Sequence, residues 1–109
     1  MLELWQTEWC PASRRVRQRL TELGVDHVTR QVPVDRERRD ELRRATGATT
    51  IPALVLEDGS TVVGEDTICA YLDGHVPEPP EAEAHRHKAA TARRRYLEEE
   101  CTCSPAPTP

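Results

Sequence analysis

The sequence contains no long apolar run. Of its 109 residues, 37% are hydrophobic and 31% are charged. No stretch approaches the roughly 20 apolar residues that cross a bilayer. The amino terminus, MLELWQ, also lacks the basic region, apolar stretch and small-residue cleavage site of a secretory signal. We therefore expect a cytoplasmic protein without a membrane partner.

An uncompensated basic face is also absent. Arginine greatly outnumbers lysine, but the RRR at 93–95 is soon followed by the EEE at 98–100, and the net charge is -4. Nucleic-acid binding needs an excess of positive charge on one face. The charge pattern therefore argues against a nucleic-acid partner.

Cysteine is present, but not as an obvious pair near the start of the chain. Cys10 stands in TEWCPASRR, and Ser13 occupies the position of the second cysteine in a C-x-x-C motif. In a reducing compartment, cysteines are more often reactive, metal-binding or buried than joined in a disulfide framework. The motif is therefore either the remnant of a two-thiol redox pair or a site that works with one thiol.

The first three-quarters of the chain alternate between strand and helix patterns. Apolar residues recur every three or four positions in the first helix, with Pro11 suited to its first position and Gly24 to its stop. The predicted elements are a strand at 2–5, a helix from Cys10 to Gly24, a strand at 25–32, a polar helix at 35–47, a hairpin within 51–63 and a helix at 65–74. This order predicts an α/β fold with a small four-stranded mixed sheet flanked by helices.

A boundary is predicted at PEPPEAEA, where three prolines in four positions interrupt regular structure. We expect a domain at 1–76 and a C-terminal extension at 77–109. The extension is predicted to form a helix at 81–100, followed by a disordered, proline-rich tail.

Cys10 stands at the predicted start of the first helix. A helix N-terminus offers unpaired N–H groups and positive dipole charge, and both stabilise a thiolate. Either Arg14 or Arg15 adds positive potential if it faces the thiol. A low-pKa sulfur is also a good leaving group, which favours repeated disulfide exchange. The alternative is that Cys10 is a small buried hydrophobe, as many free cysteines are.

Three motifs occur in order: WCPAS at 9–13, TIPAL at 50–54 and DGSTVVGEDTICAYL at 58–72. Proline at a strand entrance is compatible with an edge position or with a cis bond in a tight turn. Together the motifs resemble the thioredoxin-like superfamily, on its glutaredoxin and glutathione-transferase N-terminal-domain side. The resemblance covers residues 1–76.

The resemblance implies a thioredoxin-like, glutaredoxin-type fold in which Cys10 lies beside a cis Pro52. It also implies that the backbone of Ile51 pairs with the peptide portion of glutathione or a similar thiol, and that Glu65 and Asp66 bind its γ-glutamyl end. Plain helix capping by the two acids is the alternative, and the two roles are compatible.

Departures from the family pattern shape the functional prediction. Ser13 in place of the resolving cysteine resembles monothiol members. Glu8 stands near a position where the family often has lysine, and we expect it to raise the thiol pKa, so a low-molecular-weight thiol other than glutathione remains open. Residues 77–109 are too few for the all-helical domain of full glutathione transferases. A conjugating transferase is therefore not expected from this chain alone.

The sequence thus predicts a monomeric, glutaredoxin-like thiol-disulfide oxidoreductase with a role in cell redox homeostasis. Its catalytic residues would be Cys10 as nucleophile, with Pro11 and Ser13 beside it. Ser13 would donate a hydrogen bond to the thiolate, and Pro52 with Ile51 would position the disulfide. Its substrates would be mixed-disulfide proteins, with glutathione or another small thiol as co-substrate and no metal.

Two alternatives to this enzyme remain. One is a carrier in which Cys10 and an external thiol from each of two subunits hold a 2Fe–2S cluster, although Pro11 departs from the glycine usual in such carriers. The other is a non-catalytic interaction module.

The remaining cysteines and histidines have less defined roles. Cys69 is predicted to be buried in the last helix of the domain. Cys101 and Cys103 would resolve a mixed disulfide, bind a soft metal or do neither. His85 and His87 stand two apart on a helix and do not share a face, so no metal site is expected there.

Overall fold

The computed structural model describes residues 1–98, with side chains as far as residue 95. A four-stranded sheet is formed by β1 (Leu2–Gln6), β2 (His27–Gln31), β3 (Ala53–Val55) and β4 (Thr61–Val63). The strand order is β2-β1-β3-β4, with β2 parallel to β1 and the other two pairings antiparallel. The predicted mixed sheet is therefore confirmed.

Four α-helices accompany the sheet in the described part of the chain. They are α1 (Pro11–Glu22), α2 (Asp40–Thr46), α3 (Glu65–His75) and α4 (Ala82–Glu98). The element order and sheet topology are those of the predicted α/β, thioredoxin-like fold, with α4 as a C-terminal helix.

Helix α1 begins and ends where local sequence signals predict. Cys10 is its N-cap and Pro11 its first residue, where the missing N–H of proline leaves no bond unmade. After Leu23, the chain turns out of the helix at Gly24 with φ 67°. That positive angle favours glycine, because other residues have a Cβ that crowds the backbone there.

The continuous helix predicted at 35–47 is divided in two. A short 3-10 turn spans Arg36–Arg38, and α2 starts only at Asp40. Between them Arg39 leaves the helical region, with φ -90° and ψ 50°, and its side chain is buried. The Arg39 guanidinium donates to the carbonyl oxygens of Pro33, Val34 and Thr49 at 2.8–3.1 Å. These tertiary bonds compensate for the interrupted helix and fix the segment that leads into β3.

Both faces of the sheet are covered, as successive residues of β1 show. Leu4 packs with α1 and α3, and Trp5 packs on the opposite side with α2. The larger cluster contains the buried residues Leu4, Val16, Leu20, Leu23, Leu54, Ile68, Cys69 and Leu72. The smaller cluster contains Trp5, Val32, Leu42 and Ala53.

Helix α4 lies against α1. The buried carboxylate of Glu22, near the end of α1, accepts hydrogen bonds from Gln18 at 2.8 Å, from Arg19 at 2.9 Å and from Arg86 of α4 at 3.3 Å. Arg86 also pairs with Glu78, which precedes α4. These contacts join the C-terminal helix to the first helix of the domain.

The predicted disordered tail, including Cys101 and Cys103, lies outside the described residues. Within residues 1–98, no helix combines the length and apolarity needed to span a membrane.

Candidate active site

Three chain segments converge at one end of the sheet. Strand β3 is antiparallel to β1, with Ala53 opposite Trp5. Pro52 therefore lies at the end of β1 that leads to Cys10. The N–H of Gly64, just before α3, donates to the carbonyl oxygen of Pro52 at 2.9 Å. The topology thus brings the cysteine loop, the Pro52 turn and the start of α3 to the same edge.

The Ile51–Pro52 peptide bond is cis. From the sequence, this proline was compatible with a cis bond or with a strand-start position, and the family resemblance implied the cis form. The cis bond is confirmed, and Ile51 and Pro52 lie immediately before the first residue of β3.

The Cys10 side chain caps helix α1. Its Sγ accepts a hydrogen bond from the backbone N–H of Ser13 at 3.4 Å, and its carbonyl oxygen accepts one from the N–H of Arg14 at 3.0 Å. The thiol is half-buried. Sulfur therefore occupies the place that a serine or aspartate oxygen takes at many helix N-termini.

Opposing influences act on the Cys10 thiol. Burial raises its pKa, because it disfavours the charged thiolate. Hydrogen bonds from the Ser13 hydroxyl and from the backbone N–H groups of Ser13 and Ala12 lower it, while the negative charge of Glu65 raises it. The hydrogen bonds prevail, so that the pKa of Cys10 lies below its ordinary value. The site therefore stabilises the thiolate relative to that of an ordinary cysteine.

Ser13 is fully buried behind the thiol. Its hydroxyl oxygen accepts the backbone N–H of Thr7 at 3.5 Å, while the hydroxyl group lowers the pKa of Cys10. A hydroxyl both donates and accepts, so one side chain connects the incoming loop to the thiol. The hydrogen bond from Ser13 to the thiolate was expected from the sequence, whereas the bond from the Thr7 N–H to Ser13 was not.

Arg17 holds the loop before Cys10. Its guanidinium donates to the side-chain oxygen of Gln6, to the carbonyl oxygen of Thr7 at 3.1 Å and to that of Glu8 at 3.2 Å. Sequence reasoning singled out Arg14 and Arg15 and missed Arg17. The only available signal was its position about two turns after Cys10, which places it on a helix face that can reach back to the loop.

The acidic groups near the thiol have other roles than the sequence suggested. The carboxylate of Glu8 accepts a hydrogen bond from Gln6 at 3.0 Å and faces Arg17 at 3.8 Å. The acidic group that raises the pKa of Cys10 is instead Glu65, at the start of α3. The expectation that Glu8 acts on the thiol is therefore replaced by an effect of Glu65.

Glu65 and Asp66 open helix α3, and Arg15 faces both. The Arg15 guanidinium lies 3.4 Å from the Glu65 carboxylate and 2.5 Å from that of Asp66. Neither acid caps the helix through its side chain, because the N-cap position belongs to Gly64, with φ 96°. The expectation that Glu65 or Asp66 caps the helix with its side chain is therefore wrong. The two carboxylates lie in the first turn of α3, where the helix dipole favours negative charge, and both also face Arg15.

Cys69 is buried in α3, as predicted. Burial is the largest influence on its thiol and raises its pKa. Cys69 therefore has the protonated, packed character of a structural cysteine, in contrast to Cys10.

A groove of about 620 Å³ runs from the start of α1 between α1, α3 and α4. The residues at the Cys10 end include Pro11, Ala12 and Glu65. The rest of its lining is mostly charged: Arg14, Arg15, Arg19, Glu22, Asp73, Arg86 and Arg93, together with Gln18 and Cys69. We call this the arginine groove.

Comparison with known proteins gives the family. Residues 9–75 match the glutathione S-transferase N-terminal domain family. The chain belongs to this family. The match includes the Cys10 loop, the cis Pro52 turn and the start of α3, so the elements of the candidate site fall within it. No curated protein matches the sequence.

Solved glutathione S-transferases have the same fold. The Rhodospirillum rubrum enzyme is 27% identical, with a TM-score of 0.63, over 89% of this chain and 45% of its own. A glutathione S-transferase domain-containing protein of Marinobacter aquaeolei is 26% identical, with a TM-score of 0.60, over 84% of this chain and 50% of its own. Rice GST1, solved in complex with glutathione, is 29% identical, with a TM-score of 0.59, over 84% of this chain and 43% of its own. The chain therefore spans half or less of these transferases' length.

Proposed function

We propose that this protein is a glutathione-dependent thiol-disulfide oxidoreductase that uses Cys10 by a monothiol mechanism. The observation that carries the proposal is the half-buried Cys10 thiol at the N-cap of α1, with its pKa lowered by donors from Ser13 and Ala12. A thiolate is the reactive form in disulfide exchange. The buried hydroxyl of Ser13, in the place of a resolving cysteine, supports a one-thiol cycle.

Glutathione is the proposed co-substrate because family membership and site geometry agree. Rice GST1 was solved with glutathione. In the present chain Ile51, Pro52, Glu65 and Asp66 lie at the Cys10 edge of the sheet, which supports the proposal. The backbone of Ile51 would pair with the peptide of glutathione. The two carboxylates would hold the ammonium group of its γ-glutamyl end, in competition with Arg15.

The cycle has two exchanges. In the first, the Cys10 thiolate attacks the glutathione sulfur of a protein–glutathione disulfide. The bond between the two substrate sulfurs breaks, a Cys10–glutathione disulfide forms, and the protein sulfur leaves as a thiolate that takes a proton from water. In the second, the thiolate of another glutathione attacks the glutathione sulfur of this intermediate. Oxidised glutathione leaves and the Cys10 thiolate is restored. Each turnover therefore reduces one mixed disulfide and consumes one free glutathione, because the other half of the oxidised glutathione comes from the substrate.

The lowered pKa of Cys10 supports an enzyme over a non-catalytic module, since a silent module has no need of a stabilised thiolate. Pro11, the first residue of α1, supports disulfide exchange over the 2Fe–2S carrier, because such carriers usually have glycine at this position. A brown protein with equal iron and sulfide after anaerobic purification would favour the carrier instead.

The test is reduction of a glutathione mixed disulfide, coupled to glutathione reductase, with wild type and single variants. We expect Cys10→Ser to lose all turnover above the uncatalysed rate, because no other described thiol is both accessible and stabilised as a thiolate. Cys69→Ser is the matched control and should keep turnover, because Cys69 is buried. An active Cys10→Ser protein would end the proposal.

Two further versions of this turnover assay test the source of the second sulfur and the identity of the co-substrate. Double replacement of Cys101 and Cys103 by serine leaves turnover intact if the second sulfur comes from glutathione, and abolishes it if the C-x-C resolves the intermediate. Replacing glutathione by other small thiols at equal thiolate concentration tests the co-substrate. Equal rates with all thiols would contradict a glutathione site.

A further inference from the structure

The arginine groove carries an excess of positive charge in an acidic protein. Five arginines and three carboxylates line it, whereas the whole chain has a net charge of -4. Three of the five arginines have acidic partners. Arg15 pairs with Glu65 and Asp66, Arg19 with Asp73 and Glu22, and Arg86 with Glu22 and Glu78.

Arg14 and Arg93 are different. Arg14 lies on α1 one turn after Cys10, Arg93 lies on α4, and both are exposed. Neither side chain has an ion pair or hydrogen bond with another residue of the described part of the chain. Helices α1 and α4 therefore each contribute one guanidinium that has no partner among the described residues. Both groups also line a second cavity between α1 and α4.

The groove opens beside the reactive sulfur. Pro11 and Ala12, which directly follow Cys10, form part of its lining. Glu65 also lines it, and the charge of Glu65 acts on the Cys10 thiol. A charged group at the Pro11 end of the groove would therefore act on the Cys10 thiol, as the Glu65 carboxylate does.

We infer that the arginine groove binds the leaving half of the disulfide substrate and selects one that carries a carboxylate, through Arg14 and Arg93. This inference rests on the proposed function, since it assigns the substrate class of the same site. Guanidinium groups bind carboxylates in a planar, two-bond geometry, and two of them from opposite walls would fix the orientation of an acidic group. Of the proposed glutathione contacts, Glu65 borders the groove at its Cys10 end, whereas Ile51 and Asp66 are not among its lining residues. The leaving half would therefore lie further along α1 and α4 than the glutathione half.

The first test does not depend on turnover. Iodoacetate and iodoacetamide alkylate a thiolate by the same displacement of iodide, but only iodoacetate carries a carboxylate. The rate at Cys10 is measured for each by mass spectrometry of its peptide in the full-length protein. The ratio of the two rates cancels any change in the thiol pKa and reports the charge sensed by the incoming reagent.

We expect Arg14→Gln/Arg93→Gln to lower the iodoacetate-to-iodoacetamide rate ratio about fivefold at low salt, because two positive charges near the reaction path are lost. Salt should reduce the wild-type preference as well. The matched control, Arg36→Gln/Arg44→Gln, removes two exposed arginines that do not line the groove and should leave the ratio within about twofold, since distant charges are screened. An unchanged ratio in the groove variant, or an equal fall in the control, overturns the inference.

The second test compares substrates. Glutathione disulfides with mercaptopropionate and with mercaptoethanol differ mainly in the charge of the leaving half. Wild type should have the higher kcat/KM for the acidic one, and the groove variant should lose that preference through KM. Turnover of both with equal kcat/KM would overturn the inference while the proposed function stands. Absence of any turnover would end the proposed function, and the alkylation ratio would still decide the charge of the groove.

Discussion

At the scale of single residues, the character of Cys10 depends on competing local effects. Burial opposes the thiolate, and three donors from Ser13 and Ala12 favour it. The start of α1 could be predicted from sequence because Pro11 and Gly24 act on the backbone next to them. The hydrogen bond from the Ser13 hydroxyl to the thiolate could also be predicted, because the two residues are three apart at a helix start. The bond from the Thr7 N–H to Ser13 and the charge of Glu65 could not, because each depends on how separate segments meet.

Ser13→Ala tests the bridging hydroxyl. The variant loses one donor to the thiolate, so the pKa of Cys10 should rise. It also leaves the Thr7 N–H without its acceptor, which should lower the free energy of unfolding by about 1–3 kcal/mol. The pH dependence of iodoacetamide alkylation gives the first effect and urea unfolding gives the second. A midpoint that stays at the wild-type pH would show that the backbone N–H groups alone stabilise the thiolate.

Glu65→Gln separates two roles of one carboxylate. Removal of its charge should lower the pKa of Cys10, because Glu65 raises that pKa. The same change should raise the KM for glutathione about tenfold, by loss of a charged hydrogen bond worth about 1.5 kcal/mol. Glu57→Gln, whose carboxylate pairs with the chain amino terminus, is the control and should change neither value. A more reactive thiol with unaltered KM would remove Glu65 from the glutathione site.

At the scale of elements, buried charged side chains hold helices and loops in place. Glu22 joins α1 to α4, and Arg39 joins the segment before α2 to the segment before β3. The spacing of apolar residues predicted α1, whose Val16 and Leu20 are buried in the core. It failed at 35–47 because the interruption at Arg39 comes from bonds to distant carbonyl groups, which leave no periodic signal.

Glu22 should make stability depend on pH. Burial raises its pKa, but hydrogen bonds and charges from Gln18, Arg19 and Arg86 outweigh burial and hold the pKa below the ordinary 4.5. A lowered folded-state pKa stabilises the protein above the unfolded-state pKa, and this contribution is lost as the pH falls through the folded-state pKa. Glu22→Gln should therefore reduce the free energy of unfolding by about 1–3 kcal/mol at neutral pH, with a smaller deficit in acid.

Urea unfolding of Glu22→Gln and wild type across the acidic range measures this effect. Glu83→Gln, on the exposed side of α4, is the matched control and should follow the wild-type curve. If the deficit of Glu22→Gln is the same at every pH, the charge of Glu22 is not what stabilises the contact between α1 and α4.

At the scale of the whole molecule, residues 1–98 combine a glutathione S-transferase N-terminal domain with a further helix, α4, that lies against α1. The family match covers residues 9–75, and the chain spans half or less of the three transferases compared. Three ordered motifs were enough to predict this fold from sequence, because each motif marks a junction between elements. The groove formed by α4 could not be predicted, since its charges come from separate helices.

The central claim is that Cys10 alone forms and releases a disulfide with glutathione. The most direct measurement is to mix the reduced protein with oxidised glutathione, quench with acid and locate the adduct by mass spectrometry. We predict one glutathione on Cys10, and its loss on addition of reduced glutathione. An adduct confined to another cysteine, or no adduct under conditions that modify a free thiol, would contradict the account.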